Sequence, residues 1–318
     1  MIRINIEFKI NIYRDSGKQV NKSASRKDAT NRESFLDFAR NEIEKSAKNK
    51  SFSTVKNYQT AIRSLKEYAR DKDITFGQID ENFMFGYQKW LQQKGVCLNT
   101  ISCYIRSLRS IYNVASEQGK TVHQNPFKKV YTGNAKTDKR SMEPEEIKRL
   151  QEVSVRSGSF QEMARDIFLF CFYALGMPFV DFAFLRKSQI HDDVLTYDRR
   201  KTGQRINVKI EPCMQQIIKR YWNPESEYVF PIITTTDRYI AYKQYQDALS
   251  RYNRTLKSLA KRAHISKRLT SYCARHTWAS VAFQQNVDLS VISKALGHTD
   301  NKLLYNWIVP EFSCTVKI

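Results

Sequence analysis

A chain of 318 residues, 41% of them hydrophobic, is long enough for two domains plus a small appendage, each burying its own apolar centre. Its formal charge of +21 exceeds what solubility requires and points to a polyanionic partner, nucleic acid first and an anionic membrane surface second. The apolar run 167–185 is interrupted by Pro178 and Asp181 and is too short to cross hydrocarbon, so it reads as a core helix and no membrane is expected as a partner.

In chain order, Ile2, Ile4, Ile6, Phe8, Ile10 and Ile12 alternate with polar residues, the period of a half-buried strand that ends at the "DSGK" turn. No apolar export segment is visible in "MIRINIEFKINIYR". Residues 1–31 are therefore expected to form a strand and linker, and 32–132 a unit of four helices. Val55, Tyr58, Ala61, Ile62, Leu65, Tyr68 and Ala69 make one helical stripe with Ser53 and Thr54 as cap candidates. Ile101, Tyr104, Ile105, Leu108, Ile111, Tyr112 and Ala115 make another, starting after Asn99 and stopping at Gly119. Shorter helices are expected near 33–47 and 80–93. Ser102, Arg106, Arg109 and Asn113 fall on one side of the second striped helix, at a spacing that either tracks a phosphate backbone or simply forms a solvated basic face.

The aperiodic stretch 133–143 reads as a linker, and Pro144 followed by Glu145 and Glu146 opens a new helix and a second domain, 144–318. That domain is expected to be mostly helical around one short sheet. "VLTYDRRKTGQRINVKI" is a hairpin candidate with its turn at 201–204, and helices follow at about 240–263, 270–285 and 288–296. Lys243, Arg251, Arg254 and Lys257 decorate the outside of the first of these. The six cysteines, Cys97, Cys103, Cys171, Cys213, Cys273 and Cys314, include no C-x-x-C pair and are expected to be buried, reduced thiols of a cytoplasmic protein, neither zinc ligands nor disulfides.

Across about 33–310 the chain resembles the tyrosine recombinases of the phage-integrase family, the Bacteroides-type integrases in particular. "FLDFARNEIEK", "STVKNYQTAIRSL" and "LNTISCYIRSLRSIYNVA" resemble the helical, SAM-like core-binding domain, which clamps one side of the DNA. "CFYALGMPFVDFAFLRKSQI", "YDRRKTGQ", "LTSYCARHTWAS" and "ALGHTD" resemble the α+β catalytic domain. The resemblance implies a mainly α fold with a small β-sheet. It also implies double-stranded DNA as partner, a homotetramer on paired recombination sites, and DNA-bending accessory proteins as further candidate partners. In the implied chemistry a tyrosine hydroxyl attacks a phosphodiester and leaves a 3′-phosphotyrosine, which conserves the bond energy and needs neither ATP nor metal. The transition state needs cationic donors on its non-bridging oxygens and an acid for the leaving 5′-oxygen.

By that resemblance Arg275 in "CARHTW" is the second family arginine, suited by its planar fork to two phosphate oxygens at once. His298 in "LGHTD" is the third-box histidine, with Gly297 before it suited to a helix end and to close approach of backbone to phosphate. Lys201 is the hairpin lysine that serves as general acid. Arg199 and Arg200 beside it read as a basic hairpin tip against DNA.

Three positions depart from the family. The first arginine's place holds Pro178, with Leu175 before the glycine; losing one preorganised donor typically costs about 10²–10³ in rate, and Arg186 is the nearest replacement in sequence. Tyr272 stands where the second-box histidine belongs and can still donate a hydrogen bond. The nucleophile's position falls on Trp307, and Tyr305 lies two residues earlier: on a helix about 200° away, in an extended segment on the same side. The alternative these departures raise is a DNA-binding protein of the same fold, decayed or truncated, that does not cleave.

Overall fold

The computed structural model of the protein describes residues 32–121, 125–136 and 141–297. The alternating segment 2–12, His298 and Tyr305 lie outside the described residues, as does Cys314. The chain divides into two compact units, Met1–Lys136 and Thr137–Ile318.

The first unit contains α1 (Phe35–Asn49), α2 (Phe52–Tyr68), α3 (Glu81–Gln93) and α4 (Leu98–Glu117). The apolar stripes point inward as their 3.6-residue period requires: Val55, Ala61 and Leu65 of α2 and Ile101, Ile105, Leu108 and Ile111 of α4 are buried in one core with Phe35, Phe76 and Tyr87. The α2 cap is Ser51, whose hydroxyl accepts from the Thr54 N–H at 3.3 Å, and not Ser53 or Thr54, which lie inside the first turn. Asn99 also lies inside its helix, where its side-chain amide brackets the backbone of Ala135, donating at 3.1 Å and accepting at 2.8 Å.

Ser102 corrects the expected polar face of α4. It is fully buried and donates to the Gly133 carbonyl at 2.7 Å, so Arg106, Arg109 and Asn113 alone remain exposed on that side. These bonds also attach 133–135 to the first unit, so the expected linker loses its first residues to α4.

The second unit runs α5 (Pro144–Glu152), α6 (Phe160–Tyr173), α7 (Phe179–Ala183), β1 (Ile190–His191), β2 (Val194–Asp198), β3 (Arg205–Lys209), α8 (Pro212–Tyr221), α9 (Arg238–Arg262), α10 (Cys273–Gln284) and α11 (Leu289–Ala295). The strands form one antiparallel sheet in the order β1-β2-β3, with Leu195 opposite Val208 and Asp198 opposite Arg205. Helix α6 threads the core, where Phe170 packs edge-on against Phe182 and Phe230 at centroid distances of 5.5 and 5.1 Å. The apolar run 167–185 is thus not one helix but two, α6 and α7, parted by Leu175 and Gly176, both at positive φ (55° and 70°). No described helix is long and apolar enough to cross a membrane. The cysteines are mixed rather than uniformly buried: Cys171 and Cys273 are interior, Cys103 and Cys213 half-buried, Cys97 exposed.

Helix α5 opens on a reciprocal cap in which the Glu146 carboxylate accepts from the Glu143 N–H at 2.8 Å and from the Lys267 ammonium at 2.9 Å. Burial alone would raise the Glu146 pKa, but these two bonds together with the charges of Lys267 and Arg149 outweigh it and hold the carboxyl below its ordinary value. A depressed folded-state pKa contributes stability that is present above the unfolded value and lost as pH falls through the folded one. Glu146→Gln is therefore expected to flatten the acid limb of the stability curve below about pH 4.3 while costing stability at neutral pH. Urea unfolding at a series of pH values measures this, and an unchanged acid limb would contradict it.

Candidate phosphate site

Four segments of the second unit converge. The first is the turn after α6. Gly176, at φ +70°, leaves its carbonyl free to accept from Arg275 Nη1 at 3.1 Å, and a Cβ placed on it would stand 2.9 Å from the Arg275 Cα. Only glycine permits both the backbone reversal and the approach of α10.

The second is the start of α10. Arg275 is 2% exposed, which for an arginine demands partners. Besides Gly176 it donates through Nη2 to the Leu296 carbonyl, while its Nε has no partner among the described residues. Burial, reinforced by the neighbouring Arg199 guanidinium, lowers its pKa to about 10, so it stays charged at neutral pH; Tyr272 and Tyr197 oppose the shift. Tyr272, just before α10, is half exposed and stands edge-on to His276 with ring centroids 4.8 Å apart. On the far side of Arg275 the Thr277 hydroxyl accepts from the Met142 N–H at 3.0 Å, fixing α10 against the segment that leads into α5.

The third segment is the β2–β3 turn, and here the structure corrects the expectation of a basic tip. Side chains alternate along β2, so that Leu195, Tyr197 and Arg199 all face inward. Arg199 is 7% exposed and donates through Nη1 to the carbonyls of Leu296 at 2.6 Å and Gly297 at 2.8 Å. Arg200 faces outward and lies over the Phe184 ring at 4.1 Å, with its N–H donating to Asp181 at 3.0 Å. Lys201 is exposed in the turn. The turn is Arg199–Gln204 rather than 201–204, closed by the Arg199 N–H on the Gln204 carbonyl at 2.9 Å.

The fourth is the end of α11, where the Leu296 carbonyl accepts from both arginines and the Gly297 carbonyl from Arg199. Asp181 of α7 is the buried carboxylate of the cluster. Burial raises its pKa, against the Arg200 N–H and the charges of Arg199, Arg200 and Arg275. Of the residues singled out in the sequence, Arg275, Arg199 and Tyr272 come together, with Lys201 on the same turn as Arg199. Arg186 does not join them: it pairs with Glu227 at 3.3 Å and lies over the Tyr228 ring. Arg251 and Arg254 are exposed on α9, and Arg251 lies over the Phe160 ring at 3.8 Å. Sequence reasoning missed Asp181 and Gln204 as members of the cluster.

Two guanidinium groups on one carbonyl, with a single buried carboxylate, Asp181, near enough to feel their charge, leave a surplus of buried positive charge. Such an arrangement suits a tetrahedral oxyanion. Residues 34–134 match the phage integrase SAM-like domain and residues 140–307 the phage integrase family, so the chain belongs to that family, the tyrosine recombinases.

Among curated relatives, the tyrosine recombinase XerD of Listeria monocytogenes is 21% identical over 271 residues, covering 79% of this chain and 85% of that protein. A tyrosine recombinase of Thermosipho africanus is 23% identical over 258 residues, covering 79% and 86%. The fold is shared with a lambda integrase dimer bound to a COC′ core site, at TM-score 0.67 and 14% identity over 95% of this chain and 85% of that one. It is also shared with the Tn1549 transposon integrase in complex with transposon right end DNA, at TM-score 0.60 and 12% identity over 86% and 94%.

Proposed function

We propose that the chain is a site-specific recombinase of a mobile element that cuts and rejoins duplex DNA through a 3′-phosphotyrosine. The observation that carries the reading is Arg275. A buried, charged guanidinium is held between the carbonyls of Gly176 and Leu296, in a chain whose two halves match the two integrase domains in order. In the proposed step the Tyr305 oxygen bonds to phosphorus as the P–O5′ bond breaks, its proton released to water, and the departing 5′-oxygen takes a proton from the Lys201 ammonium. Arg275, with Tyr272 and His298, holds the non-bridging oxygens. Reversal by a new 5′-hydroxyl rejoins the strands.

Duplex binding spreads over the exposed Arg106 and Arg109 of α4 and over Arg200, Arg251 and Arg254 of the second unit, contacts that position the backbone without reading sequence. Assembly as a homotetramer on paired sites is supported by the shared fold of lambda integrase, which has been seen as a tetramer bound to a Holliday junction.

A second reading, a DNA-binding protein of this fold that does not cleave, is favoured by one observation: Trp307 stands at the family nucleophile's spacing. A nicked suicide duplex separates the two. The first reading expects a covalent protein–DNA adduct that Tyr305→Phe reduces to background. Retarded duplex with no adduct establishes the second reading, and an adduct that survives Tyr305→Phe places the nucleophile elsewhere.

A further inference from the structure

The place where the family keeps its first arginine is empty of charge, because Pro178 there serves as the N-cap of α7. Arg186, next along the chain, is committed to Glu227 and Tyr228 on the surface. The only other described guanidinium buried with Arg275 is Arg199, carried inward by the alternation of β2 and hung on the same Leu296 carbonyl. We propose that Arg199 is the second phosphate ligand of the site, entering from the β2–β3 turn and supplying the cation missing at Pro178; this rests on the recombinase reading and deepens it.

Three observations support the assignment. Arg199 spends Nη1 on the end of α11, but its Nε is buried with no partner among the described residues, and the Nε of Arg275 is in the same condition. A buried donor left unpaired typically costs about 1–3 kcal/mol, and two of them on adjacent cations call for a shared acceptor. The charge count agrees: Arg199 and Arg275 share one buried carboxylate, Asp181, so the cluster carries a surplus positive charge in a desolvated place. The Arg275 pKa, lowered by burial and then by Arg199, registers the same mutual repulsion, which a bound phosphate relieves. Finally, Gly297 makes room for this side chain, since a Cβ there would stand 2.4 Å from the Arg199 Cδ. A helix-end cap alone would account for the Nη1 bonds, but not for an Nε that has no partner among the described residues beside a second one.

The test uses the full chain and a duplex recovered by selection from a random pool, remade with a single neutral methylphosphonate at successive backbone positions. Wild type is expected to lose affinity at one central position. Arg199→Ala and Arg275→Ala are each expected to lose clearly less affinity at that same position, because one of the two cations that meet that phosphate is already gone. Arg199→Gln, which fills most of the same space with a polar amide but carries no charge, should behave as Arg199→Ala does and guards against a merely unfolded variant.

On the unmodified nicked duplex, Arg199→Ala should lower adduct formation by about 10²–10³, with partial recovery when the scissile phosphate is the neutral one. If Arg275→Ala loses the sensitivity while the Arg199 variants keep it, Arg199 is a structural cap and the inference is overturned alone. If neither arginine is coupled to any phosphate although duplex is bound, the recombinase reading falls with it. Coupling at both arginines with no adduct from wild type upholds the inference and removes Tyr305 instead.

Discussion

Arg275→Lys is expected to lower adduct formation on a nicked duplex by about 10²–10³ while leaving duplex affinity little changed. The charge is conserved in this substitution, but the fork is not. Arg275 reaches Gly176 with one terminal nitrogen and Leu296 with the other, so its orientation is set from both sides of the site. A lysine ammonium is a point donor on a flexible stem and cannot span the two carbonyls. The Leu296 carbonyl keeps its Arg199 donor in either case, but a lysine that stays with it leaves Gly176 without one, and a lysine that stays with Gly176 gives up the anchor at Leu296; either way the cation moves from where the phosphorane's charge develops. Burial beside Arg199 also disfavours the charged form of a lysine far more readily than that of an arginine, so part of the population would be neutral at neutral pH. Affinity is spread over the outer phosphate contacts and should hold. Single-turnover adduct formation together with gel retardation measures both quantities, and a rate within tenfold of wild type would remove Arg275 from the reaction.

What could be read from the sequence follows from the range of the interactions. The stripes of α2 and α4 are local, period against period, and the helices stand where the stripes place them. Ser102 shows the limit of that reasoning: helical phase puts it with Arg106 and Arg109, yet a hydroxyl is small enough to be buried by a single bond, and its acceptor, Gly133, lies 31 residues away. Arg199 shows a signal that was present and not used. Leu195, Tyr197 and Arg199 continue one period-two series into the turn, which places the arginine on the core face; reading "RRK" as a uniform basic tip ignored the alternation. What no local pattern reports is the convergence itself. Arg199 meets Leu296 across 97 residues and Arg275 meets Gly176 across 99, through carbonyls that carry no side-chain identity. Motif resemblance pointed to Arg275 and to the Gly176 step separately; only the fold joins them.

The last prediction turns on Gly297, and on a comparison that isolates its contact. Gly203 and Gly297 hold nearly the same left-handed backbone, φ +71° and +63°, so replacing either by alanine costs about 1–2 kcal/mol for conformation alone. A Cβ at Gly203 meets nothing within 4 Å, whereas at Gly297 it meets the Arg199 Cδ at 2.4 Å and the buried Gln204 amide oxygen at 3.4 Å. Arg199 cannot swing away freely, because its Nη1 is held by two carbonyls of the same turn. Gly297→Ala should therefore exceed Gly203→Ala by the overpacking cost, about 1–3 kcal/mol, in urea unfolding. In the Arg199→Ala background, with the obstructing side chain gone, the two glycine substitutions should cost the same. Because Arg199 and Gly297 touch, the double-mutant cycle isolates their coupling from the backbone strain common to both glycines. An equal penalty for both glycines in the wild-type background would mean that Arg199 does not occupy the space beneath Gly297. The second guanidinium would then have to be sought elsewhere.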